Sequence, residues 1–300
     1  MFSLIGIAVV IGAILAGYLM EKGNLLVLLQ PAELVIIGGA AVGTLLIANP
    51  IHILKQIVAG LMMILKGSPY TKKTYGEALN MLNELFQLAR REGPAKLEEQ
   101  IEEPEKSPVF QKYPTFIKNH FAVDYVCDTL RMSLAGNVTP FDMDLLMESD
   151  ADVHHHEESI PVAALTTVAD ALPGLGIVAA VLGVVITMGA LGGPPEEIGH
   201  KVAAALVGTF LGILLCYGFL GPLASNVSKI NDEANDYYRV LRHGVVGYLR
   251  GLPPILAAEN ARRLIPVHVR PSMKEMEASF KEAKGGAGAE AKPEGEPVNA

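Results

Sequence analysis

The residues of this chain best placed to do chemistry are few, and most lie in apolar surroundings. Asp170 and Pro173 stand three positions apart within one long apolar run, and Pro222 lies near the end of the next. Thr44, Thr187, Thr209 and Tyr217 add hydroxyls that could line a wet path for an ion. Intramembrane carboxylates are the usual relays for protons and cations, and here they are missing. No acid, base or histidine occurs between Ala171 and Pro195, or from Val202 to Ser228, and Glu33 is the only charge of its own run. If an ion crosses here, the titrating acid must come from a partner. Pro173 and Pro222 each remove a backbone donor and favour a bend. Such kinks either shape a helix bundle or form a hinge at the mouth of a pore.

A second group is charged. Arg90 and Arg91 precede Gly93-Pro94, and Glu98, Glu99, Glu102 and Glu103 follow it, so a turn would set basic and acidic arms side by side. Two readings stand: a solvated charged face, or a docking surface whose complementarity sets register and on-rate. His154, His155 and His156 fan out around a helix rather than converge, and no second ligand cluster exists, so a polar stretch is favoured over a metal site. Two cysteines, Cys127 and Cys216, exclude a disulfide framework and a four-cysteine zinc site. No phosphate loop, nucleophile elbow or zinc-protease motif is found. No metal, cofactor or enzymatic activity is therefore expected, and a net charge of −8 argues against nucleic acid.

The elements that must position these groups are membrane helices. Half of the 300 residues are hydrophobic, 19% are charged, 30 are glycine and none is tryptophan. A bilayer core needs about 20 apolar residues per helix. Phe2–Met20, Pro31–Asn49, Pro161–Gly193 and Val202–Val227 qualify. The first run lacks the basic start and small-residue cleavage site of a signal peptide. Counting inward from the outer ends of the last two runs places Pro173 and Pro222 at nearly the same depth. Gly39/Gly43, Ala179/Gly183 and Gly208/Gly212 have the small-xxx-small spacing of close helix contact. Of the 24 lysines and arginines, residues 51–160 hold 11 and residues 228–300 another 11, leaving Lys22 and Lys201 in the two short links. Positive-inside bias then puts both termini and both large segments in the cytoplasm.

Tyr75, Leu79, Leu82, Phe86 and Ala89 form one apolar helix face. Thr71 can cap this helix, Gly93-Pro94 stops it, and the next helix starts at Pro94 and buries Leu97 and Ile101. Lys118–Leu134 reads as a helix ended by Gly136, and Thr139-Pro140 opens another. An amphipathic segment from Asn226 to about Ser279, with Tyr237, Leu241, Val245, Tyr248 and Leu249 near helical spacing, is interrupted at Gly251-Leu252-Pro253-Pro254. The tail from Gly285, rich in Gly, Ala, Glu and Pro, is expected to be disordered. The expected fold is an all-α integral membrane protein. Residues 1–50 hold spans one and two, 51–160 a cytoplasmic helical domain, 161–227 spans three and four lining an ion path, 228–284 a helical cytoplasmic segment and 285–300 the tail.

Three stretches resemble the MotA family of flagellar stator subunits: Gln30–Ile37, Asp170–Val181, and Val207–Leu215 with Tyr217-Gly218-Phe219 and Pro222-Leu223-Ala224. The likeness spans roughly residues 1–285. It implies a homo-oligomeric ring in the bacterial inner membrane around a dimer of a MotB-type single-span subunit, whose aspartate carries the ion. It also implies torque on a FliG-type rotor protein. By resemblance, Pro173 and Pro222 are the mouth prolines that couple ion passage to conformational change, and Asp170 is an inner-mouth acid. Thr209 is the pore-facing threonine, and Arg90 with Glu98 form the rotor-facing pair, here flanked by Arg91 and Glu99. Ala180 matches proton-driven members, where sodium-driven ones tend to carry a hydroxyl. The ExbB/TolQ group is an alternative weakened by the Pro31–Asn49 span and the charged hairpin. A membrane scaffold without ion flux is another.

Overall fold

The computed structural model describes residues 2–136, 138–189 and 191–289, and among them there is no β-strand. The α-helices are α1 (Phe2–Met20), α2 (Leu25–Leu28), α3 (Pro31–Ala48), α4 (Ile51–Lys66), α5 (Lys72–Glu92), α6 (Pro94–Glu102), α7 (Pro114–Ile117), α8 (His120–Ala135), α9 (Pro140–Met188), α10 (Pro195–Ile213), α11 (Gly221–Leu249), α12 (Pro254–Arg262) and α13 (Met273–Ala289). A seven-residue π-helical stretch, Leu214–Leu220, separates α10 from α11. The segments Ser3–Met20, Leu25–Ala48, Pro140–Met188 and Pro195–Leu249 are long and apolar enough to cross a membrane. The third apolar run is therefore the later part of a 49-residue helix with Pro161 and Pro173 inside it. The chain divides into two compact units: Met1–Ser68 with His156–Asn231, and Pro69–His155 with Asp232–Ala300.

The first unit is assembled by small residues. A Cβ placed on Gly212 would stand 2.6 Å from the Leu172 carbonyl oxygen and 2.9 Å from Gly176 Cα. On Gly183 it would stand 2.9 Å from Ala205 Cα, and on Gly208 3.1 Å from Ala179 Cβ. Antiparallel α9 and α10 thus touch almost backbone to backbone, the packing favoured where lipid removes the hydrophobic drive between helices. Nothing lies within 4 Å of a Cβ on Gly39 or Gly43, so that expected contact is not made within the subunit. Helix α4 was not anticipated. It buries Ile53, Ile57 and Ile64 while Ile51, Val58 and Met62 stay exposed, and Ile53 and Ile57 pack with Leu165 and Ala224.

The second unit has a core of bulky side chains. Helix α5 buries Tyr75, Leu79, Leu82, Phe86 and Ala89, the face expected from their spacing. Phe86 stacks on Tyr248 with centroids 4.2 Å apart, and Tyr75 meets Tyr237 edge-on at 5.5 Å. Thr71 caps α5 in a reciprocal box with Thr74. Gly93, at φ +92°, ends α5 in a conformation that side-chain-bearing residues rarely adopt, and Pro94 opens α6. His154 departs from the expected solvated stretch: it stacks on Phe121 at 3.7 Å and meets Tyr238 edge-on at 5.2 Å. Helix α13 continues to Ala289, into the tail expected to be disordered, whose remaining residues 290–300 lie outside the described residues.

Candidate functional site

In the first unit the expected ion-path residues fall on two levels. Gly208 meets Ala179 across the α9–α10 contact, so the neighbours Thr209 and Ala180, both half-buried, share a level. Leu172 meets Gly212, which sets half-buried Pro173 level with the end of α10. Asp170 is exposed about one turn before it. Pro222, exposed at the start of α11, lies elsewhere. Its neighbour Ala224 packs with Leu165, eight residues before Pro173. Pro222 precedes Ala224 by two residues, so in this antiparallel pairing it stands about six residues from the level of Pro173, or about 9 Å along the axis at 1.5 Å per residue. This corrects the expectation of equal depth, which counted from the ends of hydropathy runs and not from the contacts between helices.

The bend expected at Pro222 takes a specific form. Proline has no N–H for the helical ladder and its ring crowds the carbonyl four residues back. Ahead of it the chain widens into the π stretch, and Gly221 N–H donates to the Cys216 oxygen, five residues earlier. Such π-turns are rare and cluster at functional sites. Tyr217 stands inside this stretch and is 72% exposed.

The charged hairpin belongs to the second unit. Arg90 and Arg91 occupy the last turn of α5, where cations complement the helix dipole. Glu98 and Glu99 lie on α6, and all four side chains are exposed. They are not equivalent. Glu99 accepts from Lys96 Nζ at 2.5 Å, and Arg91 reaches Glu92 at 3.9 Å, while Arg90 and Glu98 form no ion pair with a described residue. The hairpin is anchored from behind by buried Leu97 and Ile101 and by Arg131, which donates to Glu102 at 3.0 Å and to the Ile101 carbonyl at 3.2 Å.

Sequence reasoning passed over one residue here. Glu33 turns into the first unit, 6% exposed, with its carboxylate against Gly208. Only its position as the sole charge of an apolar run signalled it.

With this geometry in place, the likeness to other proteins is extensive. Over 277 residues the chain is 38% identical to Motility protein A of Salmonella typhimurium, covering 92% of this chain and 94% of that one. The chain belongs to the motility protein A family. Motility protein A of Escherichia coli is 37% identical over 284 residues, covering 95% and 96% of the two chains. The Motility protein A N-terminal family matches residues 4–93, and the MotA/TolQ/ExbB proton channel family matches residues 117–239. The N-terminal match covers α1, α3 and α5, which places the chain in the motility branch and not among ExbB/TolQ relatives. The flagellar MotAB stator complex from Bacillus subtilis superposes with a TM-score of 0.71 at 25% identity, covering 89% of this chain and 97% of that one. A motility protein A of this make is a multi-pass membrane protein and a subunit of an ion channel.

Proposed function

We propose that this chain is a ring-forming stator subunit of a flagellar motor and converts proton flow into torque. The observation that carries this reading is the α9–α10 pair: two tightly packed helices, bare of ionisable groups where they touch, with Pro173 inside α9 and Pro222 beyond α10 at the start of α11. Because α9 and α10 themselves carry no acid along that contact, the path takes one from a MotB-type single-span partner, whose aspartate becomes neutral on protonation and charged on release. Losing and regaining that charge alters the field at the helices around it, and a helix with a missing ladder bond is the element that responds. The carbonyl of Ala169, four residues before Pro173, has lost its helical donor. The π stretch before Pro222, which begins at the end of α10 near the level of Pro173, supplies a second compliant point. Two such points, one on each run, let α9 and the α10–α11 run tilt separately.

Asp170 sets a negative charge at the inner end of this path, and Tyr217 and Thr209 offer hydroxyls along it. Ala180 has no oxygen to replace the hydration shell of sodium, which favours protons. The 22-to-2 distribution of basic residues puts both termini and the rotor-facing parts in the cytoplasm of a cell whose inner membrane holds the ring. Arg90 and Glu98, unpaired within the described chain, are the charges free to meet a FliG-type rotor protein. Arg91 and Glu99 are weaker contributors because each has a local partner.

Pro173→Ala restores the missing backbone donor and tests the coupling. The variant is expected to reach the membrane at wild-type level and to abolish swimming. Normal swimming at normal level would instead favour a scaffold whose prolines are structural.

A further inference from the structure

Glu33 is the third residue of α3, and its Oε2 is buried with no hydrogen-bond partner among the described residues. The oxygen occupies space that only a glycine leaves open: a Cβ on Gly208 would stand 2.5 Å from Oε2 and 3.2 Å from the carboxyl carbon. Among the described residues, none packed around it supplies a counter-charge. Helix α2, α9 from Ala171 to Met188 and α10 from Val202 to Ile213 contain no Asp, Glu, Lys, Arg or His. His200 and Lys201, the basic residues of α10, lie about 10–12 Å along the helix, and Lys201 is paired with Glu197 at 2.9 Å. Glu21 and Lys22 precede α2 on the connecting link.

A favourable place near a helix N-terminus explains an acid there, but not one turned inward with an oxygen unsatisfied. A solvent-facing carboxylate would serve the dipole equally well, without the cost of burying an uncompensated charge. An acid kept in such a place earns its position by changing its charge. Its neighbours Gly208 and Ala179 immediately precede Thr209 and Ala180, so the carboxyl stands at the level of the proposed ion path.

We propose that Glu33 is a proton-handling residue of the channel, contributed by this chain itself in addition to the partner's acid. In each cycle Oε2 takes a proton from water on the side where α3 begins, forming the neutral acid. It then gives that proton to water on the path, or to the partner's carboxylate, and returns to the anion. The inference rests on the channel reading above.

The test uses the full chain co-expressed with its single-span partner, and measures proton uptake into vesicles under an imposed gradient. Wild type, Glu33→Gln and Glu33→Asp are compared at matched membrane level. Glu33→Gln keeps the shape and removes the titrating group. It is expected to lower uptake at least tenfold, with partial recovery in Glu33→Asp. Uptake within twofold of wild type in Glu33→Gln would overturn the assignment. Absence of uptake in wild type itself would sink the channel reading. Should Glu33→Gln fail to accumulate, the wild-type complex is treated with dicyclohexylcarbodiimide, which modifies protonated carboxyls in apolar surroundings. Modification mapped to Glu33 is expected, and an unmodified Glu33 would overturn the proposal.

Discussion

In the second unit Phe86 lies flat on Tyr248 and a run of aromatic rings fills the interior, whereas in the first unit the helices meet where Gly176, Gly208 and Gly212 have no side chain at all. The contrast follows from the solvent each unit is built for. In water, burying a large ring is itself a driving force, worth roughly 25 cal/mol per Å². Among lipid tails it gains little, so close backbone approach and dispersion take over. The outward surfaces agree: Val9, Val35 and Ile186 of the first unit are exposed. The second unit instead spends its polar groups in networks, with Asp144 accepting from Arg242 at 2.6 Å and from Arg250 at 2.8 Å.

The comparison can be broken most severely at Gly212. Gly212→Val drives a side chain into the Leu172 carbonyl and Gly176 Cα, both backbone atoms that cannot swing aside. Loss of membrane accumulation and of swimming is expected, by immunoblot and swim plate. Gly43→Val, into open space, should accumulate normally. Equal behaviour of the two would mean that the glycines of the first unit are not its packing device.

Removing a ring from the other unit should act on stability. Phe86→Ala is expected to cost about 3–5 kcal/mol, read from denaturant unfolding of the purified complex. A change below about 1 kcal/mol would contradict the picture of an aromatic core. Smaller again is the effect of surface charge. Arg90→Glu with Glu98→Lys should reduce torque on tethered cells several-fold while leaving membrane level unchanged. Glu99→Lys alone should do less, because Lys96 already engages that carboxylate. Equal losses would show that the local pair does not matter.

The mildest effect is on pH dependence. Arg262, then Arg263, hold the Glu259 carboxyl down at about 2 against an ordinary 4.5. A depressed value in the folded state means that this stabilisation is complete above the unfolded value near 4.5 and drains away as pH falls towards 2. The thermal midpoint of the complex should drop across that window, and less steeply in Glu259→Gln. Parallel profiles would remove Glu259 from the account.

Much of this architecture was legible in advance because hydropathy and periodicity are local signals. The charge-free run Phe2–Met20 became α1 residue for residue, and the Tyr75-to-Ala89 face was buried as its spacing required. What escaped depends on distant partners. Glu33 is buried because Gly208, far along the chain, leaves room for it. Helix α4 was overlooked because His52, Lys55 and Lys66 interrupt its apolar pattern and its apolar partner Leu165 lies in another run. The relative depth of Pro173 and Pro222 is set by which residues of α9 and α10 touch, and run lengths carry no such register. The π stretch has no compositional mark beyond the proline that follows it.

The central claim, a ring of this chain around a separate source of titrating acid, is tested most directly by native mass. The full chain would be co-expressed with a single-span partner bearing one membrane aspartate, and the complex weighed in mild detergent. Several copies of this chain per partner pair is the expected result. A monomer or simple dimer that ignores the partner would contradict it.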